Sequence, residues 1–554
     1  MSGTGIIGRL WSKDASLWKE EEAHKAVIEN SLGWLRMPEL MPARLKELSG
    51  FAEEVRKAGF SHIAVLGMGG SSLAPEVFRR SLSFKKGFPK LQVLDSTDPE
   101  TVSALEKRAD PVKTLYLVAS KSGSTVEPNR MLDYFYAKVK KTKERTAGEN
   151  FIAVTDPGSS LVDKAKKFGF RKAFLNFADI GGRFSALSYF GLVPAALAGA
   201  DVKKILASAN KMAEACRKDS ADNPGLALGT WLAEHAAAGR DKLTLLLPPE
   251  IESLGLWLEQ LLAESTGKEG KGVVPIAGEP HSAHYGEDRV FVHVDLKGSK
   301  DKKTAALAKR LADAGRPLQT LEMKDANDLG AEIFRWEIAT AVLGQKLGIN
   351  PFDQPNVQLA KEKAKSLMAG LKRDGSLPSV SANAEADGLS LSFSKASLVF
   401  FKKSSSSPID SAIKSFLSSA KPADYVGLLS YLCSDGNYEK DIVELRTSLL
   451  NKTQLAIQAG YGPRYLHSTG QLHKGGPNSG LFILISRSDG PDFDIPGAGH
   501  SFGQLIRAQA LGDFQALDDA GRRAVLIRIT GDPSKALSRL NKAVKAAGKA
   551  ALKA

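Results

Sequence analysis

The sequence predicts an α/β protein of several domains, and three observations support this prediction. The chain has 554 residues, several times the size of one typical domain. Its composition is that of a globular protein, with 43% hydrophobic and 25% charged residues. Between about residues 51 and 247, short apolar runs alternate with Gly/Ser turns and helical stretches. Buried strands that alternate with helices in this way are typical of a parallel sheet in an α/β layer fold.

The first domain is predicted over residues 51–220, after an N-terminal helical segment at 1–50. Two of its expected strands, at 63–66 and 115–118, each run into a loop rich in Gly and Ser that precedes a helix. Further short apolar runs, each closing on Asp, Ser or Thr, predict strands at 91–94 and 151–154.

A second α/β domain is predicted over residues 221–370. It opens with a strand at 243–247, which Pro248 and Pro249 end, and apolar residues then recur at helical spacing. Two later strands and an amphipathic helix complete the prediction for this domain, at 291–294, 318–323 and 331–347.

A third domain, of the α/β or α+β class, is predicted over residues 371–554. Residues 374–408 are rich in Ser, Gly and Pro, so we expect a linker or a loop-rich boundary there. Mixed strands and helices follow, and the short apolar runs at 389–393 and 398–401 are expected as strands. The last residues should form a helix with one basic face, made of Lys542, Lys545, Lys549 and Lys553.

Charge and cysteine content restrict the class of protein. Lys and Arg number 76 against 62 for Asp and Glu, a net charge of +14 that suits nucleic acid, an anionic membrane surface or small anionic substrates. Only Cys216 and Cys433 are present, which argues against a disulfide scaffold and fits a reducing cytoplasm. No apolar run approaches the roughly 18 residues that span a bilayer. We therefore expect a cytoplasmic protein with no membrane association.

Metal and nucleic-acid sites are not predicted. The sequence has no His-x-x-x-His on a helix, no cysteine pair and no acidic calcium loop. It also lacks a basic motif interleaved with aromatic residues, so nucleic acid is not an expected partner.

Two loops have the composition of phosphate-binding sites. Residues 120–125 place four hydroxyls and Gly123 before a helix, whose N-terminus offers free N–H groups and the positive end of the helix dipole. The loop at 67–72 has the same design, so the two could meet at the carboxyl edge of one sheet. On spacing alone, phosphate binding and simple helix capping are about equally favoured. Neither loop matches a nucleotide-binding signature, and no cofactor is predicted.

Five motifs resemble those of the glucose-6-phosphate isomerase family, and they occur in the same order. They are GMGGSSLAPE at 67–76, SKSGSTVEP at 120–128, GGRFSALS at 181–188, ESTGK at 264–268 and NPFDQPNVQLAK at 350–361. The resemblance covers about residues 60–365, and it implies two sugar-isomerase-type α/β domains with parallel sheets flanked by helices. The closing segment, with GPRYLHSTGQLHKGGPNSGLF at 462–482, is similar to the isomerase half of bacterial transaldolase/glucose-6-phosphate isomerase fusions. No transaldolase barrel fits within this chain.

The resemblance implies a sugar phosphate as the partner and a reversible aldose–ketose isomerisation without cofactor. The expected reaction converts glucose 6-phosphate to fructose 6-phosphate through a cis-enediol, a step of glycolysis and gluconeogenesis. Two alternatives remain: another sugar-phosphate isomerase, for example for mannose 6-phosphate, or a non-catalytic sugar-phosphate sensor. Glu264, Arg183 and Lys361 together argue against the sensor, which needs no base.

Glu264 is the expected base. It lies one turn after Gln260 on the same helix face, near a helix end that Gly267 predicts. The negative end of the helix dipole favours proton uptake by a carboxylate there, as a general base requires. Without the motifs, an exposed glutamate at a frayed helix end is the commoner case. The resemblance makes Glu264 the base and places Gln260 in the lining of the site.

The resemblance also implies roles for other polar residues. Arg183 stays charged and can stabilise an enediolate without exchanging protons, and Gly182 faces the substrate beside it. Gln354 is expected at the phosphate end and Lys361 at the ring oxygen. The remaining substrate-binding residues expected from the two loops are Gly70, Ser71, Ser120, Ser122, Ser124 and Thr125.

The histidine motif departs from the pattern of the family. In short bacterial isomerases Leu-His-Ser-x-Gly-Gln precedes the lysine motif, whereas here it stands at 466–471, in the third domain. A neutral imidazole suits proton exchange with ring oxygens, so His467 is predicted as the ring-opening residue. His284 and His473 stay open as replacements, and His467 could act in cis or in trans. Because the family commonly takes this histidine from a partner subunit, a homodimer is expected.

Overall fold

Three β-sheets, each with flanking helices, form the framework of the protein. The computed structural model describes residues 5–434 and 436–547. The strands of the three sheets lie at 62–175, 242–323 and 384–529. The predicted α/β fold class is confirmed. The predicted domain limits at 1–50, 51–220, 221–370 and 371–554 stay a prediction.

The first sheet has five parallel strands in the order β2-β1-β3-β4-β5. Strand order reverses between β1 and β3, and ligands of open α/β sheets bind outside the carboxyl ends of the strands at such a point. Both Gly/Ser loops lie there, since one follows β1 and the other follows β3. The strands are β1 (His62–Leu66), β2 (Lys90–Leu94), β3 (Thr114–Ala119), β4 (Phe151–Thr155) and β5 (Lys172–Leu175).

Nine helices precede or surround the first sheet in the described part of the chain. Those that follow β1 and β3 begin directly after the Gly/Ser loops, as the sequence predicts. The helices are α1 (Ile6–Trp11), α2 (Glu22–Glu29), α3 (Met37–Leu40), α4 (Leu45–Lys57), α5 (Leu73–Ser81), α6 (Pro99–Arg108), α7 (Val126–Lys143), α8 (Ser160–Phe168) and α9 (Tyr189–Leu197).

The second sheet has four parallel strands in the order β7-β6-β8-β9. These are β6 (Lys242–Leu246), β7 (Val274–Ile276), β8 (Arg289–Leu296) and β9 (Leu318–Met323). The helices around it are α10 (Val202–Ala215), α11 (Pro224–Ala237), α12 (Leu254–Thr266), α13 (Lys302–Asp313) and α14 (Leu329–Leu347). The helix predicted as amphipathic, α14, is buried over most of its length, because α10, α11 and α12 all pack against it.

The third sheet has six strands in the order β10-β11-β15-β14-β12-β13. Four are parallel, while β10 and β11 add an antiparallel edge. The strands are β10 (Ala384–Ala386), β11 (Leu389–Phe393), β12 (Tyr425–Tyr431), β13 (Ala456–Tyr461), β14 (Gly480–Arg487) and β15 (Arg523–Ile529). The helices are α15 (Val357–Asp374), α16 (Lys395–Leu398), α17 (Pro408–Leu417), α18 (Glu439–Thr453), α19 (Gly470–Gly475), α20 (Phe502–Asp519) and α21 (Pro533–Ala546).

One strand prediction in the third domain is wrong, and part of the expected loop region is ordered in the sheet. Residues 398–401 do not form a strand, and Val399 is 79% exposed. Strand β11 pairs with β15 as far as Phe393, and beyond Ser394 the strand β15 offers no partner. The chain therefore turns into α16. The region 374–408, predicted as loop-rich, contains β10 and β11.

The described part of the basic C-terminal helix is α21, which contains Lys542 and Lys545. The other two lysines of the predicted basic face, Lys549 and Lys553, lie outside the described residues. None of the helices in the described ranges combines the length and apolar character that crossing a bilayer requires.

The third domain packs on both of the others. Tyr465 and Leu472 share a buried cluster with Ala263 of α12, so this domain is joined to the second sheet's helices. Phe502 of α20 packs edge-on against Tyr134 of α7 at 5.5 Å between ring centroids, which joins it to the first domain. This docking brings the segment around 464–475 to the two Gly/Ser loops.

Candidate active site

The loop after β1 meets the predicted arginine segment through a glycine contact. A Cβ atom on Gly70 would lie 1.9 Å from the carbonyl oxygen of Gly182, a distance that no side chain could occupy. Gly69 adopts a left-handed φ of +54°, and a Cβ there would lie 2.7 Å from the carbonyl oxygen of His467. The two glycines therefore let the loop touch the segments that carry Arg183 and His467.

The loop after β3 presents hydroxyl groups at the N-terminus of α7. The Ser120 hydroxyl donates to the Thr125 hydroxyl at 3.0 Å, and the Ser122 and Ser124 hydroxyls are 2.9 Å apart. Ser122 and Ser124 are exposed, whereas Gly123 is buried with a φ of +69°. Thr125 makes no side-chain cap bond to the helix, which leaves the first N–H groups of α7 open to a bound anion. Ser71, in the facing loop, is half-buried.

Arg183 is a fixed, buried cation beside the predicted base. Its guanidinium donates to the Ser265 hydroxyl at 2.7 Å and to Gln354 Oε1 at 2.9 Å. It also donates to two carbonyl oxygens of the turn at 351–353. Burial lowers the pKa of Arg183, and the charge of Glu264, 3.7 Å away, opposes that shift. The bonds hold the guanidinium in one place, so it provides a preorganised positive charge.

Glu264 lies in the last turn of α12, as predicted, and is 9% exposed. Gln260, one turn earlier, donates through Nε2 to Glu264 Oε2 at 3.1 Å and to the His467 carbonyl oxygen at 2.8 Å. The other amide atom of Gln260, Oε1, is buried without a partner among the described residues. One glutamine thus ties the predicted base to the segment that carries the predicted histidine.

His467 reaches this site from the same chain. It ends a short 3-10 turn (Arg464–His467), and its Nε2 lies 3.0 Å from Glu127 Oε1. The same Glu127 oxygen accepts a hydrogen bond of 2.7 Å from Gln509 of α20, and Gln509 in turn accepts one from Thr97. Burial raises the pKa of Glu127, but the charge and hydrogen bond of His467, a backbone hydrogen bond and the charge of Lys361 together leave it below its usual value.

Neither alternative histidine contacts a predicted site residue within the described ranges. His473 is fully buried, where its Nε2 lies 2.6 Å from Gln458 Oε1. Burial lowers the pKa of His473 well below its usual value, as does the charge of Lys474. His284 is exposed in the loop between β7 and β8, where its N–H donates to the Ser282 hydroxyl.

The last two predicted residues lie at the open side of the site. Gln354 is exposed and accepts from Arg183, while Gly182 has open space around its Cα. Lys361 is exposed on the first turns of α15, and its charge contributes to the lowered pKa of Glu127. The structure therefore places Lys361 on the histidine side of the site.

Three functional candidates were not predicted from the sequence. Glu127 lies within the SKSGSTVEP motif but had no role assigned, and Gln509 has no local signal. Lys268 closes the ESTGK motif; it is buried and donates to the Asn350 carbonyl oxygen and to Asp353 Oδ1, both at 2.7 Å. Burial lowers the pKa of Lys268 to about 8, and the nearby charge of Arg183 adds to this shift.

The motif glutamine, Gln471, connects two helices that border the site. Its Nε2 donates to the Gly267 carbonyl oxygen at the end of α12 and to Asn356 Oδ1, both at 2.8 Å. Its Oε1 accepts from the Asn356 backbone N–H just before α15. The segment that carries His467 thus fixes the ends of the helices that carry Glu264 and Lys361.

The arrangement can bind an anion and move protons. It combines a hydroxyl-lined helix N-terminus, a carboxylate, a fixed guanidinium and an imidazole paired with a carboxylate. No group of three or more His, Cys, Asp or Glu residues within 5–434 and 436–547 could hold a metal ion.

Comparison with known proteins identifies the family of this chain. A phosphoglucose isomerase family profile matches residues 43–288. The glucose-6-phosphate isomerase of Carboxydothermus hydrogenoformans is 30% identical over 429 residues, which cover 65% of this chain and 91% of that protein. The chain belongs to the glucose-6-phosphate isomerase family. The predicted resemblance and the predicted enzyme class, an aldose–ketose isomerase, are confirmed at the level of the family.

A second relative and a solved structure also match a large part of this chain. The enzyme of Rubrobacter xylanophilus is 28% identical over 393 residues, 60% of this chain and 88% of that protein. Among solved structures, a hypothetical protein from Thermus thermophilus is 27% identical with a TM-score of 0.58, and covers 66% of this chain and 94% of that one. Both matches leave at least a third of this chain uncovered.

Proposed function

We propose that this protein interconverts glucose 6-phosphate and fructose 6-phosphate through a cis-enediol, without a cofactor. The observation that carries the proposal is the pairing of Glu264 with the buried guanidinium of Arg183, 3.7 Å apart, beside two hydroxyl-rich loops. The carboxylate of Glu264 can transfer the proton, and the guanidinium of Arg183 can stabilise the negative charge that develops on the sugar oxygens. A sensor that only binds sugar phosphate has no use for that pair.

The phosphate group of the substrate binds at the N-terminus of α7. Ser122 and Ser124 offer exposed hydroxyls, and the first N–H groups of the helix and its dipole favour a dianion. Ser71, Ser120 and Thr125 complete the hydroxyl lining. Gln354, held by Arg183, is positioned to contact the same end of the substrate.

Glu264 transfers the proton during isomerisation. Its carboxylate removes the proton from C2 of the open-chain aldose while the carbonyl oxygen at C1 becomes the enediolate oxygen. The proton then returns to C1, the proton of the C2 hydroxyl passes to O1, and the C2 oxygen becomes the carbonyl of the ketose, so that no atom is gained or lost. Arg183 stabilises the negative charge of the enediolate, and Gln260 keeps the carboxylate in place by its hydrogen bond.

His467 opens the sugar ring, with Glu127 as a positioning residue. The imidazole exchanges a proton between the ring oxygen O5 and the O1 hydroxyl, and Lys361 donates a hydrogen bond at the ring oxygen. Glu127 supports this role because its carboxylate lies 3.0 Å from His467 Nε2 and so fixes the ring orientation.

The proposal is tested by a coupled assay of fructose 6-phosphate conversion with the Glu264→Gln variant. We expect turnover to fall by roughly 10²–10⁴ or more, because the base is lost while the amide keeps the shape of the side chain. Binding of fructose 6-phosphate, measured by calorimetry, should persist.

A matched control is Glu269→Gln, since Glu269 is exposed just beyond the same helix and pairs with Lys19 at the surface. This variant should retain wild-type turnover. Near-normal turnover of Glu264→Gln would remove Glu264 from the role of base. Binding without turnover by the wild-type protein would favour the sensor, and faster conversion of mannose 6-phosphate would favour the other isomerase.

A further inference from the structure

A large cavity lies between the third domain and the first two, beside α12. Its volume is about 540 Å³, within the range of small-molecule sites in proteins. We call it the interdomain cavity, and α5, β2, α12, β12, β13 and α18 all contribute to its walls. It lies at the carboxyl ends of β12 and β13, the usual location of ligands in α/β sheets.

The interdomain cavity is distinct from the active site. None of the residues of the proposed active site lines the cavity: α12 contributes Leu256 and Glu259 to the lining, but not Gln260 or Glu264. Gly69 and Gln260 both contact the backbone of His467, which precedes the cavity-lining residues Ser468 and Thr469.

Two arginines that line the cavity, Arg79 and Arg464, have N–H groups that make no hydrogen bond with the described residues. Arg79 bonds Glu76 through Nε and Nη2, both at 2.7 Å, and Arg464 bonds Asp95 through the same two atoms at 2.8 and 2.7 Å. Each carboxylate uses both oxygens in these pairs. The Nη1 group of each arginine makes no hydrogen bond with the described residues, and Arg80 adds a further exposed cation.

Hydroxyl groups also line the cavity. Ser430 of β12 is 1% exposed, and its hydroxyl has no partner in the described part of the chain. Tyr461, at the end of β13, keeps its proton because burial raises its pKa to about 12. Thr469 lies beside them in the lining. A buried hydroxyl without a partner costs stability, so Ser430 is explained if a ligand completes its hydrogen bonding.

The carboxyl groups of the cavity do not make it a cation site. Glu76 and Asp95 face their arginines, and Glu252 and Glu439 are exposed at the rim. Glu259 is buried, and burial raises its pKa to about 8, so that it is mainly neutral at pH 7. Donors therefore exceed acceptors inside the cavity.

We infer that the interdomain cavity is a second binding site, for a small hydroxylated anion that carries a phosphate or carboxylate group. The anionic group fits the free N–H groups of Arg79, Arg80 and Arg464, which suit the oxygens of either group. The hydroxyl groups of the ligand fit the wall made by Ser430, Tyr461 and Thr469. This site is independent of the isomerase chemistry proposed above.

The test is isothermal titration calorimetry of the full chain at pH 7 with three probes: 3-phosphoglycerate, citrate and inorganic phosphate. We expect 3-phosphoglycerate to bind, and its Kd to rise about tenfold in Arg80→Ala and about threefold to tenfold in Ser430→Ala and Tyr461→Phe. If citrate binds and inorganic phosphate does not, the ligand is a carboxylate. If inorganic phosphate binds and citrate does not, the ligand is a phosphate. Either result supports the site.

The control variant is Ser124→Ala, in the loop proposed to bind the substrate phosphate, which should leave the Kd of 3-phosphoglycerate unchanged. Ser430→Ala should melt no lower than wild type, because its hydroxyl makes no bond, and this result would show that the variant is folded. Loss of binding in Ser124→Ala with no change in the cavity variants would assign the probe to the active site and overturn the inference. Failure of all three probes to bind at millimolar concentration would also overturn it. Neither readout depends on turnover.

Discussion

Glu127 connects a helix of the first domain with the histidine of the third. Its carboxylate lies at 3.0 Å from His467 Nε2 and accepts a second bond from Gln509, so three distant parts of the sequence meet at one oxygen. Because the pKa of Glu127 is lowered from 4.5, the pair contributes stability above that pH. The contribution is lost as pH falls through the lowered pKa of the folded protein. Glu127 should therefore stay ionised over the neutral range.

Replacing Glu127 with glutamine should impair ring opening more than isomerisation. We expect kcat/KM for closed-ring substrate to fall by roughly tenfold to a hundredfold. This fall is smaller than the one expected when an acid–base group itself is removed. Activity on an open-chain substrate should change little, since Glu264 and Arg183 are untouched. The measurement is the ratio of the two kcat/KM values together with the pH profile of each.

The control for this variant is Glu149→Gln, an exposed residue of the same domain that should leave the ratio unchanged. An equal loss with both substrates would argue that Glu127 only supports the fold. An unchanged acidic limb of the pH profile would lead to the same conclusion.

The sequence predicts those site residues whose chemistry is encoded within a few neighbours. Ser122, Ser124 and Gly123 form a recognisable loop, and Glu264 follows Gln260 at helical spacing. Gln509 could not be predicted, because its contact with Glu127 joins positions far apart in the chain and depends on how α20 docks. The positions of His284, His467 and His473 relative to the site likewise depend on tertiary packing, and the assignment of His467 stays a prediction.

At the scale of the elements, the loop after β1 is held in place by backbone contact. Gly70 lies so close to the Gly182 carbonyl oxygen that a methyl group at this position would overlap with it. The loop after β1 can lie this close to the Arg183 segment because Gly70 has no side chain.

Gly70→Ala should displace the Arg183 segment from the loop. We expect kcat/KM to fall at least about tenfold, because a shift of about 1 Å in a catalytic group is costly. The expected cause is a poorer position of Arg183. Steady-state kinetics of the purified variant would measure the effect.

Gly50→Ala is the matched control, since a Cβ at Gly50 would meet nothing within 4 Å and the residue lies inside α4. It should keep full activity and melt slightly higher. Wild-type kcat/KM in Gly70→Ala would show that the loop can yield without effect on the site.

Element predictions succeed where burial and turns agree, and they are wrong where a partner strand is missing. The strands at 63–66 and 115–118 are apolar, buried and closed by glycine loops, and both are confirmed. The run at 398–401 has the same apolar character, but β15 offers no further pairing beyond Ser394. A short stretch of sequence does not show how far the strand beside it in the sheet extends.

At the scale of the whole molecule, one chain supplies every group of the proposed site. Arg183 and Glu264 come from the first two domains, and His467 reaches them from the third domain of the same chain. The expected homodimer is therefore not required to complete the site.

A monomer of this protein should be fully active. The expected result is a specific activity that stays constant on dilution to concentrations at which light scattering detects only monomer. A loss of activity that tracks dissociation of a dimer would show that a second subunit contributes to the site. The oligomeric state itself is measured in the same experiment.

The contact of Gly69 and Gln260 with the His467 backbone has a consequence for biosynthesis. The ribosome adds roughly 5–20 residues each second, and N-terminal domains fold first. The loops, Arg183 and Glu264 therefore emerge well before His467 and before α20, which supplies Gln509. A nascent chain could complete its first two domains yet lack the predicted ring-opening histidine, so conversion of closed-ring substrate would begin only after the third domain has been translated and has docked.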